Sequence, residues 1–413
     1  MRLAIIGTGI SGLTAAHLLA GDHDLTVYEA NDYIGGHTHT LDVPAAGRTW
    51  SIDTGFIVFN DRTYPNLNRL FDTLGVEWQP STMAFSVRCE RTGLEYCPSS
   101  LNTLFAQRRN LFRPGFWRMI RGIMRFRRRC QEVLIAEPDL SLGEYLDKSG
   151  YPREFIDYFI VPMGAAVWSA EPTGFRRFPA RLFVEFFSNH GVLTIHGQPR
   201  WRVVKGGSQA YVKKLVAPFQ DRIRINAPVR SIRRHAEGVE VTAEGQDTET
   251  FDEVIVAAHS DQALAMLADP SEAERDVLGA IPYQSNATVL HTDASLLPRC
   301  RRAWASWNYH IPQQPRPGVT LTYYMNMLQS LDAPVHFCVT LNRNEDIDPS
   351  TVLASLVYEH PVYTPEGFAA QARHAEISGR NRTHYCGAYW GYGFHEDGVN
   401  SALAVCRRFG KQL

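Results

Sequence analysis

The chain has 413 residues, more than one typical domain, so two lobes are expected. Its 44% apolar and 21% charged residues describe an ordinary soluble globular protein, and a net charge of −1 argues against a general nucleic-acid binder. No stretch offers the ~20 uninterrupted apolar residues that a membrane span needs.

The apolar run Leu3 to Ile6 is sized for a buried parallel strand. Gly7, Gly9 and Gly12 follow at G-x-G-x-x-G spacing, then a helical pattern from Ser11 to Leu19 and a second strand from Leu25 to Tyr28. Gly7 permits a tight turn, Gly9 lets backbone approach a pyrophosphate, and Gly12 lets the helix pack closely on the strand. The helix N-terminus offers free N–H groups to phosphate, and Glu29 closes the second strand where an acid accepts ribose hydroxyls. Strand, turn, helix, strand and acid in register predict a dinucleotide site. An N-terminus built this way is not expected to be a secretory signal.

Downstream, Gly35 and Gly36 allow backbone to crowd a bulky ligand, with His37 and Thr38 adding polar contacts. Asp53-Thr54-Gly55 forms a second turn, followed by an apolar run from Phe56 to Phe59 and a helix from about Tyr64 to Leu74. Nine arginines then lie between Gln107 and Cys130 (108, 109, 113, 118, 121, 125, 127, 128 and 129), with no acid from Ser99 to Gln131. A helical wheel puts Arg118, Arg121, Arg125, Arg128 and Arg129 on one face and Phe116, Met119, Ile120, Ile123, Met124 and Phe126 on the other. Two readings stay open. The helix is either a core helix with solvated arginines, or a surface for an anionic membrane or an acyl carrier.

Lys205-Gly206-Gly207 feeds a helix, alternating strands surround Val229, and "FDEVIVAAHSDQALAML" reads as strand, turn and helix. "ATVLHTDAS", "GVTLTYYMNML" and "VHFCVTLN" suggest a mixed sheet. Near the end, Tyr389, Trp390, Tyr392, Phe394 and His395 precede a helix expected from about Val399. His395 is a candidate proton acceptor, with a packing or cofactor-contact role as the alternative. The histidines at 190, 196, 259, 291 and 310 lack metal-ligand spacing, so no metal site is expected. Seven scattered cysteines without a C-x-x-C pair suggest reduced thiols and a cytoplasmic setting, peripheral on the inner face of the membrane at most.

Taken in order, the G-x-G-x-x-G, acid, G-G, D-x-G, K-G-G, V-x-x-I and D-G-V blocks resemble the flavin-containing amine oxidase and phytoene desaturase superfamily. The resemblance implies an α/β fold: a Rossmann-type, glutathione-reductase-like FAD domain with a second, α+β substrate domain. It places the FAD domain at 1–75, 200–270 and 375–413 and the substrate domain at 76–199 and 271–374. Carried over, Gly7, Gly9, Ser11 and Gly12 hold the pyrophosphate and Glu29 the adenosine ribose. Gly36, His37 and Thr38 line the phosphate and ribityl path. Gly55 and Phe56 pass beside the isoalloxazine, and Val229 meets adenine through its backbone. Asp397, Gly398 and Val399 put the last helix's N-terminus at the flavin pyrimidine. The family usually has arginine where this chain has His37, which weakens the positive charge near the phosphates.

Within the superfamily the chain is most similar, through "HPVYTPEGFAAQARHAEISGRNRTHYCGAYWGYGFHEDGVNSA", to a bacterial group of NAD/FAD-binding proteins. Their genes commonly neighbour cyclopropane-fatty-acid-synthase-like methyltransferases, and some relatives desaturate methyl-branched fatty acyl chains. The resemblance implies hydride transfer from an apolar, lipid-like substrate to flavin N5. Amine oxidation, or a flavin-binding partner of a lipid methyltransferase without its own turnover, stand as alternatives. No second G-x-G-x-x-G follows a strand, which favours reduction by substrate rather than by a nicotinamide. The oligomeric state stays open.

Overall fold

Five short parallel strands form the sheet that carries the glycine turn, in the order Ile223–Arg224, Asp24–Tyr28, Arg2–Ile6, Glu253–Val256, Thr383–Tyr385. The computed structural model describes residues 1–134, 140–191 and 197–413; His196, one of the histidines noted above, lies outside them. Side chains alternate across a strand, so each strand serves two layers. Leu3, Ile5, Val27 and Ile255 face helices Ile10–Leu19, Gln209–Val216 and His395–Cys406. Ala4, Ile6, Tyr28, Val254 and Val256 face a three-stranded antiparallel sheet, Val229–Arg234, Val239–Ala243 and Glu249–Phe251. Burial on both faces is why these strands read as continuous apolar runs.

A seven-stranded mixed sheet is built from 283–361 and from Phe85–Cys89 and Leu94–Tyr96. Its single parallel pairing joins Phe85–Cys89 to Trp307–Ile311. Helices between 101 and 189 pack on it through an aromatic core that includes Phe126, Phe155, Trp168, Phe178, Phe183 and Phe187. The arginine-rich segment forms helix Pro114–Arg129, with Phe116, Met119, Gly122, Ile123 and Phe126 buried. A side chain at Gly122 would come within 2.5 Å of the Phe155 Cβ, so glycine sets the close crossing with the segment 153–160. Met124, placed on the inner face by the helical wheel, is 39% exposed. It borders the arginine stripe rather than the core.

The last helix runs from His395 to Cys406, four residues earlier than expected. Asp397 explains the difference: its carboxylate accepts the Phe394 N–H at 2.9 Å and caps the helix from inside its first turn. No helix among the described residues is long and apolar enough to cross a membrane.

Candidate functional site

The glycine turn is held from three sides. Gly7 adopts φ +104° and donates its N–H to the Tyr28 carbonyl at 2.8 Å, while a side chain there would strike Ala257 O. A Cβ on Gly12 would fall 2.0 Å from Gly7 O, so only glycine lets the helix close on the turn. Gly9 is the extended N-cap residue of helix Ile10–Leu19, with open space in front of it and no side-chain cap. No acid stands in that helix's first turn. Its leading N–H groups therefore point outward as anion donors. Ser11 is buried at the start of the helix.

Glu29 sits at the turn as expected, but its carboxylate already has partners. One oxygen accepts from the Thr8 N–H at 3.0 Å and from the Thr8 hydroxyl; the other accepts from the Asn31 N–H at 2.9 Å and side-chain amide at 2.8 Å. Beside it, Asn226 and Ala227 donate backbone N–H groups to Asn31 O and Glu29 O, which brings the approach to Val229 along the second strand's end. Thr8 and Asn31 carry no motif, and only the folded turn reveals them.

The Gly35–Thr38 loop lies over the glycine turn. Gly35 donates its N–H to the Thr8 hydroxyl at 3.2 Å, and a Cβ on Gly36 would lie 3.1 Å from the Gly9 Cα. A Cβ on Gly55 would lie 2.1 Å from His37 O, and Phe56 donates its N–H to that same carbonyl at 2.7 Å. Asp53, fully buried, fastens this region. It accepts from the Thr40 hydroxyl at 2.6 Å, the Ser208 N–H at 2.8 Å and the Gln329 amide at 3.1 Å. Burial outweighs those donors and raises its pKa to about 7.

His37 meets two histidines from distant segments, His259 at 6.1 Å and His360 at 5.3 Å between ring centroids. Burial and the neighbouring ring of His259 depress His37 to about 4; burial, His37 and His259 depress His360 to about 3. The position beyond the glycine pair is therefore uncharged at neutral pH. His259 and His360 lie more than 200 residues from His37 in the chain, so no local pattern announces them.

His395 is packed, not exposed. Its ring stacks on Phe56 at 3.5 Å, and Nε2 lies 2.9 Å from the Thr38 hydroxyl and 3.1 Å from the Tyr211 hydroxyl. Burial, with His37 nearby, holds its pKa well below the usual value. The ring tethers the last helix to the Gly36–Thr38 loop. Gly398 donates its N–H to Phe394 O at 3.0 Å, inside the helix, and a Cβ there would lie 2.6 Å from Ile10 Cγ2. Gly398 thus permits helix-on-helix contact, and Val399, buried behind it, belongs to the core. The helix's free N-terminal end belongs to His395, Glu396 and Asp397, in place of the Gly398–Val399 end expected from the sequence. Burial raises Asp397 to about 7.

Ahead of that end stands an aromatic wall. Phe394 stacks on Phe186 at 4.9 Å, Tyr392 lies 5.8 Å from Phe186, and Trp168 donates its indole N–H to Tyr392 O at 3.1 Å. Trp168 continues to Phe178 at 4.4 Å, and Phe178 to Tyr363 at 6.0 Å. The Tyr363 hydroxyl is buried without a partner, and burial keeps it protonated. Among the described residues no group of three or more histidines, cysteines or carboxylates could hold a metal.

Comparison with known proteins agrees with this architecture. The sequence pattern of the family described as flavin containing amine oxidoreductase matches residues 10–293. An L-amino-acid oxidase of Siganus canaliculatus is 24% identical over 71% of this chain and 57% of its own length. A 15-cis-phytoene desaturase of Arabidopsis thaliana is 27% identical over 40% of this chain and 31% of its own. The chain thus spans well under two thirds of either relative. Cyclohexylamine oxidase from Brevibacterium oxydans superposes with a TM-score of 0.70 at 16% identity, covering 99% of both chains. A CLA-producing fatty acid isomerase from P. acnes superposes with a TM-score of 0.69 at 18% identity, covering 99% and 98%. At such identity the two structures speak to the fold.

Proposed function

The chain belongs to the flavin-containing amine oxidoreductase family, with FAD as its cofactor, and from that premise we propose that it oxidises an apolar substrate. Desaturation of a methyl-branched fatty acyl chain is the leading reaction. The residues fit the cofactor. The Gly7–Gly12 turn and the uncapped helix suit a pyrophosphate, and Gln209 Oε1, beside Gly35, is a buried acceptor without a partner that suits a hydroxyl donor. When bound, FAD supplies a two-electron acceptor for hydride from a substrate carbon.

The observation that carries the reading is the aromatic wall from Phe394 through Phe186 and Trp168 to Phe178. It begins at the residue preceding the last helix and merges with the core beneath helix Pro114–Arg129. Rings in this position would exclude water and offer a hydrocarbon chain apolar surface, at roughly 25 cal/mol per Å² buried. Tyr363, kept protonated by burial, can donate a hydrogen bond but cannot accept a proton. His395 remains neutral and holds Thr38 in place. Titratable groups at the wall include His190, whose ring stacks on Phe186 at 3.8 Å and which burial pushes down to about 4, Asp397, and Glu185, 3.4 Å from the Tyr392 hydroxyl and paired with Arg181 at 2.9 Å. A second reading, oxidation of an amine, draws on the same rings, whose faces accept a cation.

Anaerobic titration of the flavin-loaded protein with lipid extracts and with a panel of amines separates these readings. Bleaching by acyl lipids alone supports desaturation, and bleaching by amines alone replaces it. Tight FAD binding without bleaching by either points to a flavin-binding partner of a methyltransferase.

A further inference from the structure

We infer that the surface formed by residues 101–128 docks on an anionic lipid bilayer. Two independent features meet there. The first is exposed apolar surface: Phe112 is 86% exposed, Leu101 76%, Leu111 42% and Trp117 41%. These residues are neighbours in the fold: the Trp117 indole donates to Leu111 O, next to Phe112, at 2.8 Å, and Phe105, whose ring lies 5.6 Å from that of Trp117, donates its N–H to Leu101 O at 3.1 Å. Along the helix the patch continues as Trp117, Arg121, Met124 and Arg128, a single stripe at spacings of four, three and four.

The second feature is charge without balance. Of the nine arginines from 108 to 129, only Arg118 and Arg129 meet a carboxylate among the described residues, Glu154 and Glu132 respectively. Arg108, Arg109, Arg113 and Arg125 bond to carbonyl oxygens, which orients them and leaves their charge intact. Arg121 and Arg128 stand exposed. No acid lies between Tyr96 and Gln131. Cations flanking singly exposed aromatic and aliphatic side chains match a headgroup layer over acyl tails. A soluble acidic protein would satisfy the charge but leave Phe112 and Leu101 without a cavity to enter, so the bilayer is the better occupant. The surface is independent of which substrate the flavin site takes.

The structure also selects the variants. Arg118 and Arg125 hold Glu154 and the Ser149–Gly150 carbonyls, so replacing them disturbs the fold. Arg121→Gln with Arg128→Gln, and separately Phe112→Ser, remove exposed groups only. The test is co-flotation of the full-length, FAD-loaded protein with phosphatidylcholine vesicles with or without phosphatidylglycerol. Wild type should float with the anionic vesicles and less so at high salt. The double arginine variant should partition about 25-fold more weakly, about fivefold for each cation removed from an anionic surface. Phe112→Ser should weaken partitioning about tenfold or more. FAD content and thermal midpoint should match wild type in both variants. The inference is overturned if wild type stays unbound with anionic vesicles, if the arginine variant floats like wild type, or if an acidic carrier protein is bound while vesicles are not.

Discussion

Glu274 offers a quantitative test of what fastens helix Glu272–Gly279 to the strands of the cofactor lobe. Arg234 grips its carboxylate with two hydrogen bonds of 2.8 and 2.9 Å, the Tyr385 hydroxyl donates at 2.6 Å, and the Ser271 N–H at 2.8 Å. Both charged side chains are almost fully buried, at 3% and 2% exposure. Burial alone would raise the carboxyl's pKa, but the donors from Arg234, Tyr385 and Ser271 outweigh it and hold it at about 2 against an ordinary 4.5. The folded value is the lower one, so the unfolded chain takes up more protons in acid. The stabilisation, ~3 kcal/mol, is complete above about pH 5 and is lost as pH falls through 4.5 toward 2. Glu274→Gln keeps the shape and removes the charge, leaving Arg234 with Asp269 at its more exposed edge. The variant should lose about 3–5 kcal/mol at neutral pH. Paired urea titrations of wild type and variant at several pH values isolate this residue, because the opposing effects of Asp53 and Asp397 cancel in the difference. A variant as stable as wild type at neutral pH, or a difference that persists undiminished in acid, refutes the reasoning.

Other outcomes bear on the cofactor site directly. Glu29→Gln should raise the FAD dissociation constant roughly 10- to 100-fold in a flavin-fluorescence titration, the range set by losing hydrogen bonds to a charged acceptor; unchanged affinity would reduce Glu29 to a loop anchor. Gly12→Ala forces a Cβ against Gly7 O, and should cost roughly 1–3 kcal/mol and yield protein purified without flavin. A yellow, fully loaded variant would contradict that. His395→Ala should lower FAD retention and stability, yet remove no ionisation from the pH profile of substrate-driven flavin reduction; loss of one near neutrality would restore His395 as a base. Anaerobic NADH or NADPH should leave the flavin oxidised, and rapid stoichiometric bleaching by either would end the view that the substrate is the reductant.

The glycine turn was legible because its constraints are local: Gly7, Gly9 and Gly12 act on backbone within a few residues of themselves. The strands beside it were legible for a related reason, since burial on both faces writes an uninterrupted apolar run. The start of the last helix was misplaced because Phe394 and His395 read as a continuation of the aromatic loop. The signal was nonetheless present, as Asp397 stands where an acid caps a helix from its third position. Glu396 shows what no local reading could find. Its carboxylate accepts the N–H groups of Asn66 and Leu67 at 3.0 and 2.9 Å, capping a helix some 330 residues away in the chain. The same holds for Tyr211 under Thr38, and for His259 and His360 around His37. Met124 was misassigned for a narrower reason: it lies at the wheel's boundary, where the width of the groove beneath the helix decides which side a residue takes.

Charge balance links these findings. A pyrophosphate would bring negative charge to a turn whose own residues, Gly7 to Gly12, include no cation. His37 follows the glycine pair, and burial keeps it and His360 neutral in the physiological range. The first turn of helix Ile10–Leu19 carries no basic side chain either, its only basic residue being His17 in the last turn. A phosphate bound at this turn would therefore rely on backbone N–H groups and the partial positive charge of one helix end. Such donors depend on the exact path of the main chain in a way that a long, mobile arginine does not. Hence the close packing at that turn matters for binding as well as for stability: Gly12 against Gly7, Gly36 against Gly9, and Gly398 against Ile10 all fix where the amides point. Glu29, Thr8 and Asn31 add the hydrogen bonds that keep the turn from opening. A single added methyl group at any of the three contacts should therefore cost more affinity for FAD than removal of any one polar side chain around it.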